Sequence, residues 1–128
     1  LYYTLFYSRP SYCVLCWGTT TAQNYKTLLT LQKKVLRLIE GYYGHPQHFS
    51  TRPLFSKYFL LQANQIYYYK LLLYIKNNKL YPMYDSSRCV EYCLRTPGIR
   101  IPRTRTTYGQ QHTDYQIPSL LNKLENVV

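Results

Sequence analysis

The chain has 128 residues, with 16 lysines and arginines against five acids, for a formal net charge of +11 at pH 7. That length suits a single modest core, and the basic excess favours polyanionic partners, nucleic acid foremost. No apolar run nears the ~18 residues of a membrane span, and the apolar start LYYTLFYS is cut by Arg9 and Pro10 without a small-residue cleavage site, so neither a spanning segment nor a secretory signal is read.

The chain starts at Leu1, which suggests a piece of a longer reading frame. Residues 1–20 read as the end of an upstream helical segment that Pro10 kinks or ends. The apolar run from Tyr12 to Trp17 reads as buried, and Gly18 with Thr19, Thr20 and Thr21 reads as a break and a cap. Residues 21–80 are expected to form a helical core. In its first helix Leu28, Leu31, Val35, Leu38 and Tyr42 repeat at three-four spacing, flanked by Leu29, Leu36 and Ile39. Gly41 and Gly44 stop that helix, Thr51 caps the next, and Pro53 sits in its first turn. The stretch from Pro53 to Asn78 is one helix or two, with a possible break at Gln62–Asn64; the whole is a helical hairpin.

Residues 81–128 read as a basic arm and a terminal helix. A turn of helix is expected around Arg88 to Leu94. The alternation of Ile99, Ile101 and β-branched threonines with Arg100, Arg103 and Arg105 predicts an extended segment or a β-hairpin, kept at an edge by Pro102. Pro118 and Ser119 then open a short terminal helix. The fold class is therefore mainly α: a helical hairpin or small bundle with an extended or β-hairpin arm.

Two cysteine pairs, Cys13 with Cys16 and Cys89 with Cys93, have the spacing to be weighed as a zinc site. The company of Tyr12, Val14, Leu15 and Trp17, and the lack of a knuckle glycine, favour buried reduced thiols instead. His45, His48 and His112 offer no better site: His45 and His48 form a loop pair with no acidic or cysteine partner close in sequence. The acids Glu40, Asp85, Glu91, Asp114 and Glu125 are scattered, so no catalytic set is read and no cofactor is expected. What remains is basic: Lys33, Lys34 and Arg37 on the first helix, and Arg95, Arg100, Arg103 and Arg105 among hydroxyls. These suit nucleic-acid backbone contacts, with Tyr108 as a stacking platform.

The order of motifs resembles the region downstream of the polymerase core in jockey-like non-LTR retrotransposon reverse transcriptases. Tyr12, Trp17 and Gly18 match a Tyr-x4-Trp-Gly motif, and Leu31, Gln32, Lys33, Lys34 and Arg37 match Leu-Gln-Lys-Lys-x2-Arg. Pro53, Leu54 and Phe55 then match a helix start, and Ile66 to Ile75 a tyrosine- and leucine-rich helix. Pro102, Arg103, Arg105, Thr106 and Gly109 match a Pro-Arg-x-Arg-Thr-x2-Gly arm, followed by Tyr115, Pro118, Asn122 and Leu124. The chain is also similar to the arthropod fragments called tick-transposon-like proteins. It departs from the family where Leu121-Asn122 replaces Trp-Asn, and where Cys13 stands in place of a glycine or other small residue. No Tyr-x-Asp-Asp occurs.

The resemblance implies a thumb or C-terminal region without the palm aspartates, and so no enzyme by itself. Its partners would be element RNA or template-primer and the upstream polymerase of the same polyprotein, with no membrane. Its place would be the nucleus or a cytoplasmic ribonucleoprotein. The alternative is a packing module that supports the polymerase and touches no nucleic acid.

Overall fold

The protein's structure, a computed structural model, describes residues 1–80 and 99–125. The expected helical turn at Arg88 to Leu94, together with Cys89, Cys93 and Arg95, lies outside the described residues. All regular structure among the described residues is helical, as the mainly α reading requires. The chain divides into two compact units, Leu1–Lys70 and Leu71–Val128.

In the first unit the chain opens with a π-helical turn, Tyr3–Tyr7, that runs into α1 (Ser8–Ser11). Pro10 does not end the helix at once. Helical backbone continues to Ser11 and Tyr12 then turns extended, with ψ 125°. Cys13 is left-handed, at φ 47°, and leads into α2 (Val14–Trp17). Helix α3 (Ala22–Ile39) starts as expected at Thr21, whose hydroxyl accepts from the Asn24 N–H at 3.5 Å. It ends before Gly41, whose φ of 72° is the left-handed backbone that closes a helix at little cost for glycine.

The buried centre of α3 is not the predicted stripe. Gln32 and Leu36, one turn apart, are wholly buried, whereas Leu31 and Leu38 are exposed. Leu36 joins Tyr2, Phe6 and Leu54 in a core against which Val35, Ile39, Phe49 and Phe55 pack. Burial of a leucine of this kind stabilises by about 2 kcal/mol. The buried face is rotated toward Gln32, whose amide is fully engaged. Its Nε2 donates to the Tyr2 hydroxyl at 2.7 Å and to the Leu61 carbonyl at 2.8 Å, and its Oε1 accepts from the Ala63 N–H at 3.0 Å.

Helix α4 (Arg52–Lys57) has Pro53 in its first turn, as expected, although the Thr51 side chain makes no capping bond. The break after it falls at Tyr58–Gln62, where Phe59 adopts φ 51°. Helix α5 (Ala63–Asn77) follows, its first turn closed by Gln65, whose side chain accepts from the Gln62 N–H at 3.0 Å.

The buried apolar residues of the second unit are Leu71, Ile75, Ile99, Ile117 and Leu121. Two helices follow Ile99: α6 (Thr107–Gln111) and α7 (Thr113–Glu125). Pro118 lies inside α7, not at its start. It removes one interior bond but is itself buried, so its ring contributes to packing.

Two phenols, Tyr67 buried and Tyr25 half-buried, give a pH signature. Burial pushes Tyr25 and Tyr67 up to about 12 from 10.0, and the Tyr25 hydroxyl donates to the Gly18 carbonyl at 2.6 Å. Their folded values lie above the unfolded one, so this contribution is complete below pH ~10 and is lost as pH rises from 10 toward 12. The guanidinium midpoint of unfolding is expected to hold steady up to pH ~9.5 and fall steeply above it. Tyr25→Phe is expected to soften that fall.

Candidate nucleic-acid interface

The arm is a small folded motif. From Ile99 to Thr104 the backbone is in neither helix nor strand among the described residues. Pro102 has no N–H to donate, and no partner strand lies among the described residues. The chain is pinned instead by the side chain of Asn122. Its Oδ1 accepts from the Ile99 N–H at 2.7 Å and its Nδ2 donates to the Ile99 carbonyl at 2.8 Å. One amide thus supplies both bonds that a neighbouring strand would have made.

At the far end Thr106 caps α6, its hydroxyl accepting from the Gly109 N–H at 3.3 Å. Gly109 has no side chain because Thr104 occupies the space: a Cβ there would lie 2.8 Å from the Thr104 Cβ. The Arg-x-Arg-Thr-x2-Gly spacing is therefore a cap and a close approach. Arg100, Arg103 and Arg105 are exposed around it, as is Tyr108 at 82%. Among the described residues none of these arginines has a carboxylate within 4.0 Å.

The basic residues of α3 divide. Lys34 is exposed, while Lys33 and Arg37 are half-buried. The Arg37 Nη2 donates to the Pro46 carbonyl at 3.2 Å and, at 3.5 Å, to that of Phe49. Its guanidinium therefore holds the 45–49 loop against α3 and is only partly available to a ligand. Lys33 and Arg37 also line a polar cleft of about 470 Å³ in the first unit, and so does Arg52.

The first cysteine pair is not core. Cys13 and Cys16 are free thiols at the surface, and Tyr12 is 76% exposed. The left-handed turn at Cys13 carries the short helix α2 so that Val14 is buried and both sulfurs are exposed. Among the described residues no three histidine, cysteine or acidic side chains come together; Cys89 and Cys93 fall outside them.

Glu40 accepts from Lys57 Nζ at 2.8 Å and from the Tyr58 hydroxyl. The lysine and tyrosine bonds lower its carboxyl below the usual range. His112 Nδ1 lies 3.3 Å from Asp114, both exposed. No helix among the described residues is long and apolar enough to cross a membrane.

The sequence reading passed over Gln32 and Asn122 as chemistry, and over Arg52 altogether. A polar residue inside a helix is the available signal for the first two. No family model, curated protein or solved structure matches the chain.

Proposed function

We propose that this chain is a non-catalytic, nucleic-acid-binding fragment from the C-terminal region of a non-LTR retrotransposon reverse transcriptase, whose parent activity is RNA-directed DNA synthesis. The observation that carries the reading is the arm: Arg100, Arg103 and Arg105, exposed beside Tyr108 on a segment held by the Asn122 clasp and the Thr106 cap. Guanidinium groups pre-positioned on ordered backbone lose less freedom on meeting phosphates than a loose tail would. A planar phenol next to them offers a stacking face for a base. Support also comes from Cys13, whose φ of 47° is backbone that glycine serves best, at a position where the family commonly has glycine or another small residue.

Changing Arg100, Arg103 and Arg105 together to Ala is expected to shrink the log–log salt slope of single-stranded RNA binding by about two units, at ~0.7 per phosphate. Circular dichroism is expected to stay that of the parent. An unmoved slope in the folded variant removes the arm from the interface.

A second reading has its own observation. An apolar groove of about 650 Å³ in the first unit is lined by Leu5, Phe6, Trp17, Leu28, Leu31 and Val35, and Leu5 and Leu31 are largely exposed. Such a patch favours a packing module that buries it against the polymerase. Strong binding of a hydrophobic dye by the folded chain, without RNA binding, is its signature.

A further inference from the structure

We propose that the cleft between α3 and the start of α4 is a phosphoryl-binding subsite, seating one phosphate of a polynucleotide between Lys33 and Arg52. The inference rests on the nucleic-acid reading above and adds to it a specific seat and a residue, Arg52, that sequence reasoning did not select. Three cations line the cleft, Lys33, Arg37 and Arg52, and its volume of about 470 Å³ has room for a phosphate. Among the described residues none of the three has a carboxylate within 4.0 Å.

Arg37 is half-buried and fixed by the carbonyls of Pro46 and Phe49, so it forms a stationary wall of positive charge. A cation held partly out of water with no counter-ion among the described residues is costly, and an anion drawn beside it relieves that cost. Phe49 and Phe55 form part of the lining and lower the local dielectric, which strengthens the attraction. Thr51, also in the lining, makes no capping bond with its hydroxyl and can donate to a phosphate oxygen. Guanidinium and ammonium groups lining one cleft from two helices suit the tetrahedral oxygens of a phosphoryl group.

The full chain carrying Lys33→Gln, Arg52→Gln or both tests this. Each variant is titrated with a short oligonucleotide, with and without a 5′-phosphate, and with inorganic phosphate. Both side chains grip one phosphate, so the double variant is expected to lose about 0.7 units of salt slope. Each single change is expected to remove most of the affinity that the double change removes. Inorganic phosphate is expected to shift the backbone amide signals of Ser50, Thr51 and Arg52 saturably in the parent and not in the double variant. A gain of affinity confined to the 5′-phosphorylated strand would assign a terminal monoester; equal affinities would assign an internal diester.

Additive single changes that together remove about 1.4 units of slope would mean two separate surface contacts and overturn the subsite. So would oligonucleotide binding unaffected by the double change, with the amides unmoved by phosphate. Phosphate-dependent shifts in a parent chain that binds no oligonucleotide would keep the subsite and overturn the nucleic-acid reading instead.

Discussion

Gln32→Leu is expected to destabilise the protein by about 3–5 kcal/mol, lowering its melting temperature by ~10–20 °C. The change keeps the volume and raises the hydrophobicity of a wholly buried position, so a count of buried apolar area would score it as neutral or favourable. Hydrogen bonding decides otherwise. Gln32 satisfies the Ala63 N–H, one of the orphan donors at the start of α5, while donating to the Leu61 carbonyl just before it and to the Tyr2 hydroxyl. Leucine would strand all three polar groups, the Ala63 N–H in a residue that is only 2% exposed, at about 1–3 kcal/mol for each that water cannot reach. Leu31→Gln, on the exposed neighbour, is the control and is expected to cost less than ~0.5 kcal/mol. Chemical denaturation of both variants reads the difference. Equal, small effects would mean that the clasp is not what sets the entry of α5.

Gly18→Ala is expected to cost about 2–4 kcal/mol, for a steric reason. The backbone of Gly18 has ordinary right-handed angles, φ −67° and ψ −9°, so conformational freedom is not what glycine provides. Space is. A Cβ would lie 2.8 Å from the Tyr67 Cγ, and closer still to the Tyr67 Cδ2 and the Val14 carbonyl. Tyr67 is 3% exposed and cannot swing away cheaply.

The same corner holds two further bonds, from the Tyr25 hydroxyl to the Gly18 carbonyl at 2.6 Å and from the Trp17 indole N–H to the Tyr12 carbonyl at 2.8 Å. Displacing Gly18 loosens the first. Trimming the ring in a Gly18→Ala/Tyr67→Leu double variant is expected to be less harmful than the sum of the two changes. Strict additivity would show that the ring is not the obstacle.

These two positions show what the sequence makes legible. The Thr21 cap, the Gly41 stop and Pro53 in the first turn of α4 are readable because each acts on backbone within a few residues of itself. Gln32 and Asn122 were not, because their partners, Ala63 and Ile99, lie 31 and 23 residues away. A side-chain amide that completes distant backbone looks in sequence like any polar residue on a helix. Hydrophobic periodicity then placed the inner face of α3 one position off, giving Leu31 weight that belongs to Gln32.

Pro118 reads in sequence as the first turn of the terminal helix, whereas α7 begins at Thr113. The Tyr12–Trp17 run reads as core, because apolar composition cannot reveal that a left-handed Cys13 leaves itself and Cys16 exposed. In the arm, alternation suggested strand. Thr104, Thr106 and Gly109 form a cap and a close contact instead, and this leaves the arginines at the surface.

The exposed cations give the central claim a number. Lys34, Arg100, Arg103 and Arg105 are open to solvent, and the cleft of Lys33 and Arg52 adds one phosphate. Arg37 is left out of the sum because two carbonyls already hold it. Five phosphate contacts at ~0.7 each predict a log–log slope of about −3 to −4 on a single strand. The most direct measurement is fluorescence anisotropy of a single-stranded RNA with the folded chain, over a range of salt concentrations. Binding that weakens with that slope is the predicted result. Weak binding at low salt, or a slope near zero, would contradict it and leave the helices as packing for a larger protein.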